Sequence, residues 1–273
     1  MRIQEYAVGV FSYCPTKSAL KKILKKGFLT VNTTVATTAT IVSGGETICL
    51  NIPNEINKHK KFIFELTVIF EDQHFAVIRK PPGILVSGNS FKTVSNALIQ
   101  NLKSSSLTDA TQPQPVHRLD YATTGLLLIG KTTSSIRALN ALFKHKEVEK
   151  NYYAITIGKM NSKGTVSLPI EGKKAISEYE VLKTVHSNRF QLLNLVLLKP
   201  VTGRRHQLRI HMANMGNPIL GDIKYSSTDQ LLKGKGMYLH ACSLEFIHPF
   251  TEERMTFTDK LPKRFQKIFP EAL

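Results

Sequence analysis

The stretch VHRLDYATTGLLLIGKT, residues 116–132, sets a single carboxylate, Asp120, just after His117 and Arg118. A small-residue turn containing Gly125 follows, and then an apolar run. Two readings are open at this point. In one, Asp120 starts a turn, Gly125 relaxes the backbone, and residues 126–129 fill a core. In the other, a buried strand holds still a carboxylate that does chemistry. Further along, TGRRHQLRIHMANMG places Arg204, Arg205, His206 and Gln207 at or before a helix N-terminus, where free N–H groups and the helix dipole favour a phosphate. His206 and His211 are five residues apart, which aligns them less well on a helix than four would, and no third ligand stands out; no metal is expected. Tyr152 and Tyr153 are neighbours in the strand NYYAITIG, so they face opposite sides of a sheet and only one can line a cleft. Lys80 closes the strand of FAVIRKPPG, where Pro81 and Pro82 stiffen a turn and Gly83 permits close backbone approach; the lysine is either structural or phosphate-facing.

The elements that must position these groups follow from hydrophobic spacing. TKSALKKILKKG, residues 16–27, predicts a helix with Thr16 as N-cap and Gly27 just past its end. Its apolar face is Ala19, Leu20, Ile23 and Leu24; Lys17, Lys21, Lys22, Lys25 and Lys26 cover the rest. Like charges on one helix repel, and an anionic partner would offset that repulsion. Strands are expected at FLTVN, TTATIV and ETICLNI, the last after a Gly44-Gly45 turn. PNEINKHKKF, residues 53–62, has the polarity of a linker. Beyond it, strands are expected at LTVIFED and FAVIRK, a helix at VSNALIQNL, and a mobile polar loop over residues 103–115. SSIRALNALFKHK is an amphipathic helix, NYYAITIG, AISEYEVLKTV and FQLLNLVLL are strands, HQLRIHMANMG is a helix ended by Gly216, and YLHACSLEFIHP is a final strand. Strands outnumber helices and do not alternate with them, so the expected class is α+β with a largely antiparallel sheet.

Composition bounds the partners. The chain has 273 residues, 42% of them hydrophobic, and no run near the ~20 apolar residues of a membrane span. No signal peptide is expected at the N-terminus. Cys14, Cys49 and Cys242 are scattered without a CxxC, which points to a reducing cytoplasm rather than a disulfide or zinc framework. Thirty-seven Lys and Arg against 20 Asp and Glu give a net charge of +17, the signature of a surface that meets polyanions, above all nucleic acid.

Five stretches in order carry a resemblance: FEDQHFAVIRKPPGILV, VHRLDYATTGLLLIGKT, EKNYYAITIGK, TGRRHQLRIHMANMGNPILGDIKY and LHACSLEFIHPFT. Over residues 66–262 the chain resembles the RluA family of RNA pseudouridine synthases. The resemblance implies a pseudouridine synthase fold, a mixed and largely antiparallel sheet with flanking helices, over residues 64–273. It implies isomerisation of a flipped uridine, without cofactor. Asp120 matches the family's catalytic aspartate, either a nucleophile at ribose or base, or the base that takes the C2′ proton. A carboxylate kept ionised in a closed, apolar place needs a cation against it, and Arg209 matches the arginine that pairs with it. Tyr152 matches the tyrosine that packs on the uracil and has been proposed to take the C5 proton. Arg118 matches a residue that intrudes where the base stood, and His117 orients the loop. Departures fall at Tyr121-Ala122, Thr124 and Arg205; none removes a catalytic group, and Tyr121 and Arg205 should alter how flanking RNA is held. Residues 1–55 resemble an S4 RNA-binding module, α/β in class, through KKILKKGFLTVN and SGGETICL, with Asn32-Thr33 where an Asn-Gly turn is usual. The expected partner is RNA, ribosomal RNA ahead of transfer RNA, with no membrane and a monomeric protein. The rival reading is a non-catalytic RNA-binding or ribosome-assembly protein on the same fold.

Overall fold

Asn32 and Thr33 both take left-handed backbone angles, φ 47° and 71°. This is the geometry a two-residue hairpin demands, reached here with a β-branched residue where glycine is usual. The computed structural model describes all residues except 12, 15, 52–61, 233, 235 and 271–273. The chain divides into two compact units, residues 1–60 and 61–273.

In the first unit, α1 (Ile3–Tyr6) and α2 (Lys17–Lys25) accompany a small antiparallel sheet of β1 (Leu29–Val31), β2 (Thr34–Val35) and β3 (Ile48–Leu50), in the order β2-β1-β3. Thr16 caps α2 by accepting from the Ala19 N–H, and Gly27 follows it at φ 69°. Leu20, Ile23 and Leu24 are buried against Ile3 and Leu29, while Lys17, Lys21, Lys22, Lys25 and Lys26 are exposed. The strand expected at TTATIV is not there: β2 ends at Val35, and Ile41 makes only a lone bridge to Arg2. Thr37 and Thr40 spend their hydrogen bonds on each other's turn instead. The linker expected over residues 53–62 lies, apart from Phe62, outside the described residues.

The second unit holds β4 (Thr67–Glu71), β5 (Phe75–Lys80), α3 (Val94–Asn101), β6 (Ala110–Pro115), β7 (Thr124–Thr132), α4 (Thr133–His145), β8 (Glu149–Ile157) and β9 (Lys163–Ser167). It continues through β10 (Ile176–Ser187), β11 (Gln191–Pro200), α5 (Gln207–Asn214), β12 (Leu239–Ile247), β13 (Arg254–Thr258) and α6 (Lys263–Gln266). Ten strands form one sheet, with the path β4-β5-β7-β12-β8-β11-β10-β9 and with β13 and β6 paired to β12 and β7. All its ladders are antiparallel except β7 with β12. The class is α+β, and no helix among the described residues is long and apolar enough to cross a membrane.

The apolar run of β7 is explained by burial on both faces. Leu127 and Ile129 join Ala76, Ile78 and the α3 residues Ala97 and Leu98 on one side; Leu126 and Leu128 join Phe75, Val77 and the α4 residue Leu139 on the other. Two strands differ from the sequence expectation. Residues 110–115 form an edge strand, not a mobile loop; exposure alternates along them, and an edge tolerates Pro113 and Pro115 because part of its backbone needs no partner. YLHACSLEFIHP is not the final strand, since residues 248–253 turn the chain back into β13.

The parallel contact sits directly behind the candidate site. His240 and Ala241 pair with Thr124 and Gly125. At Gly125, φ is 114° and an added Cβ would lie 2.2 Å from the Ala241 carbonyl oxygen. Thr124 Oγ1 lies 2.8 Å from His240 Nδ1, His240 Nε2 lies 3.4 Å from Asp259 Oδ2, and Arg79 closes the chain with two hydrogen bonds to Asp259 of 2.7 and 2.6 Å. The glycine is therefore required by close backbone approach as well as by its torsion. Gly125→Ala should destabilise the protein by about 3 kcal/mol or more, read by urea unfolding; a loss below about 1 kcal/mol would mean that β12 can withdraw at little cost.

Candidate active site

Asp120 lies on a loop that two fixed neighbours pin from below. Lys80 Nζ donates to the carbonyl oxygens of Pro81, Tyr121 and Thr123 at 2.9, 3.2 and 2.9 Å, and the Gly83 N–H donates to the Tyr121 carbonyl at 2.9 Å. Lys80 is fully buried, and burial, opposed by the nearby Asp120, pushes its pKa down to about 8. Lys80 is structural and faces no phosphate: its three donors are spent on main-chain carbonyls, and no solvent reaches it.

The carboxylate of Asp120 meets α5 across the cleft. Arg209 Nη1 donates to Asp120 Oδ2 at 3.0 Å. The rest of the guanidinium is taken by Asp222, to which Nε and Nη2 donate at 2.7 and 2.8 Å. Asp222 is 1% exposed, and its Oδ1 also accepts the backbone N–H groups of Lys224 and Tyr225. Burial works against the charge of Arg209, but the hydrogen bonds and charge of Asp222, then of Asp120, outweigh it and raise its pKa. The ring of Tyr225 lies under the guanidinium, 5.0 Å from centroid to carbon.

Around this pair opens a cleft of about 530 Å³ that Tyr152, Arg118, His206 and Lys150 help to line, a volume within the roughly 300–1,000 Å³ range of small-molecule sites. Tyr152 packs beside Leu119, Ala241 and Leu239, whereas Tyr153 turns to the other face with Phe265, as alternation requires. Burial first, then Asp120, raises the pKa of the Tyr152 hydroxyl. Arg118 is exposed and makes no hydrogen bond or ion pair among the described residues. Arg204 and Arg205 are exposed at the rim, Arg204 donating to the Lys174 carbonyl at 3.1 Å.

Of two further residues, Gln207 sits differently from the expectation and His117 does not. Gln207 is not free to meet a phosphate: it is 4% exposed, its carbonyl oxygen accepts from Thr202 Oγ1 and the Arg204 N–H, and its amide donates to Ile176 O and Ser177 Oγ. His117 braces the loop and also lines the cleft. Its Nε2 accepts the Leu128 N–H at 3.0 Å and its ring stacks on Phe143 at 4.6 Å, which fits the loop-orienting part read from the sequence. His206 turns its ring from the helix terminus toward Asp120, and His211 is buried between Ser177 Oγ and the Leu168 carbonyl, so the two histidines share no ligand position.

Sequence reasoning missed Asp222, Tyr225 and the cations Lys144, Lys146 and Lys150 of the cleft wall. A signal for Asp222 existed. One arginine facing only Asp120 would be free to swing, and GDIKY follows α5 closely enough to supply a second acceptor.

Residues 74–214 match the family described as RNA pseudouridylate synthase. A ribosomal large subunit pseudouridine synthase D of Buchnera aphidicola subsp. Schizaphis graminum is 33% identical over 259 residues, covering 84% of this chain and 78% of that protein. A dual-specificity RNA pseudouridine synthase RluA of Haemophilus influenzae is 35% identical over 212 residues, covering 71% of this chain and 93% of that one. The solved structure of human RNA pseudouridylate synthase domain containing 4 superposes with a TM-score of 0.58 at 26% identity, covering 73% of this chain and 90% of its own.

Burial, with Lys150 adding, lowers the pKa of His117 to about 3. The unfolded imidazole titrates near 6.5. The contribution of neutral His117 is thus complete above about pH 6.5 and is lost as pH falls toward 3, because the unfolded chain takes the proton first. His117→Gln keeps an acceptor for Leu128 and should flatten the pH dependence of urea unfolding between about pH 6 and 4 by up to ~1.4 kcal/mol per pH unit. An unchanged slope would show that the ring ionises in place.

Proposed function

This chain belongs to the RluA family of RNA pseudouridine synthases, and from that premise we propose that it isomerises a uridine in structured RNA at Asp120, ribosomal RNA being the first candidate and transfer RNA the alternative. The relatives named for the ribosomal large subunit favour the first. The observation that carries the site assignment is the 3.0 Å contact between Asp120 and Arg209, groups 89 residues apart in sequence, at the floor of an open cleft.

The target base leaves its stack and enters the cleft, because its glycosidic carbon is out of reach inside a helix. Arg118, unpaired and exposed, occupies the place the base leaves, its planar guanidinium stacking and reaching phosphate. Tyr152 lies along the uracil ring. Asp120 acts on the ribose, either by attack at C1′ or by taking the C2′ proton. The C1′–N1 bond breaks with its electron pair going to uracil, the freed base turns, and C5 bonds to C1′ as Asp120 either leaves C1′ or returns its proton to C2′. The C5 proton then leaves and N1 gains one, so the reaction is an isomerisation without net exchange of protons or electrons. Arg204 and Arg205 at the rim hold the backbone on either side. The exposed lysine face of α2 serves as a second RNA contact, in keeping with the S4-like reading of residues 1–55. A reducing, cytoplasmic setting suits Cys14, Cys49 and Cys242, none of them in a disulfide.

Asp120→Asn should cut pseudouridine formation by roughly 10³-fold or more while leaving RNA affinity near wild type, measured by pseudouridine mapping in cells carrying the variant and by conversion with purified protein. Wild-type protein that forms no pseudouridine on ribosomal or transfer RNA would defeat the proposal. Replacing Lys21, Lys22, Lys25 and Lys26 by Gln should lower the slope of log affinity against log salt by about 0.7–0.9 for each phosphate that is no longer neutralised; the same slope would reduce these lysines to solubility.

A further inference from the structure

His206 is the residue of the site whose placement the steps above leave unused. It is the N-cap of α5, yet its side chain caps nothing, and its backbone is left-handed at φ 56°, ψ 20°. Few L residues adopt that conformation. Its ring goes to the cleft instead. Nδ1 lies 2.8 Å from the Tyr225 hydroxyl, and Nε2 lies 3.7 Å from Asp120 Oδ1, the oxygen that Arg209 leaves free. Tyr225 is itself fixed, its N–H by Asp222 and its ring by the Arg209 guanidinium. One buried carboxylate thereby orders both the arginine on one oxygen of Asp120 and the imidazole beside the other.

We propose that His206 is the proton carrier of the last step, taking the proton from C5 of the rejoined uracil on Nε2 and delivering it to N1. This rests on the synthase reading above. The balance is simple: the C5–H bond breaks, its electron pair enters the ring, N1 receives the same proton, and the imidazole ends as it began. The geometry suits it. In a reactive pose C1′ lies about 3–3.5 Å from the Asp120 oxygen, and C5 is one bond further on, within reach of a nitrogen 3.7 Å from Asp120 Oδ1. The charged groups facing the imidazole are Asp120 from the loop before β7, Arg205 and Arg209 from its own segment, and Lys224 from the turn after α5. Burial, with the three cations, outweighs Asp120 and lowers the histidine's pKa, which keeps it a free base at neutral pH. Tyr152 also lines the cleft, and burial with the charge of Asp120 keeps its hydroxyl protonated, so it is a poor proton acceptor.

The test uses purified full-length protein and substrate RNA with uridine either normal or deuterated at C5. His206→Gln should lower kcat by roughly 10²-fold, leave KM for RNA unchanged, and show a primary deuterium effect on kcat that wild type lacks; added imidazole should restore part of the rate. Tyr225→Phe, which keeps His206 but removes its anchor, should show the same isotope signature with a smaller loss, and decides the matter should His206→Gln fail to fold. A rise in KM alone would make His206 a phosphate contact, and a fall in kcat without the C5 isotope effect would make it a brace for Asp120; either overturns the proposal. Both leave the synthase reading standing, whereas inactivity of the wild-type protein would remove that reading itself.

Discussion

A guanidinium held between two carboxylates is the contact on which the site depends. Arg209 gives two of its hydrogen bonds to Asp222 and one to Asp120. The inequality matters. Asp222, buried and doubly bonded, fixes where the arginine is; Asp120, singly bonded and partly open to the cleft, is fixed by it yet keeps an oxygen for chemistry. A buried charge pair costs desolvation energy that a hydrophobic replacement would not. The arrangement is therefore better understood as preorganisation of a reactive carboxylate than as a source of stability.

The fold serves this contact from two directions. Below the loop, Lys80 ties the carbonyl oxygens of Tyr121 and Thr123, just after Asp120, to that of Pro81, so the main chain leaving Asp120 cannot drift. Behind it, β12 runs parallel to the start of β7 and comes so near that position 125 has no room for a side chain. Both faces of β7 are packed, one under α3 and the other under α4. Cations at the rim and wall of the cleft face a single reactive carboxylate, which suits a polyanionic substrate that must be drawn in and then bent at one nucleotide.

Much of this could be read from the chain. The period-two and near-continuous apolar patterns gave most strands, and Thr16 and Gly27 marked the ends of α2 because capping is local chemistry. The class followed from the order of elements. What could not be read was set by partners far away in sequence. The edge strand at residues 110–115 looks like a loop because its prolines and glutamines matter only once β7 lies beside them. Gln207 looked like a phosphate ligand, and Lys80 was open between that and a structural part, because residue type alone does not show that their hydrogen bonds are spent inside the fold. Asp222 escaped notice because GDIKY offers an acceptor close after α5 without naming the cation that it meets. The αL backbone of His206 has no sequence mark at all.

The most direct measurement is the single-turnover rate of Asp222→Asn with RNA fully bound. Asp222 lies out of the cleft and touches no substrate in this account, so its only route to the reaction is through Arg209 and the ring pair beside it. The rate should fall by roughly 10²-fold at undiminished RNA affinity. A variant that converts bound RNA at the wild-type rate would contradict this, because Asp120 would then keep its reactive position without the buried anchor.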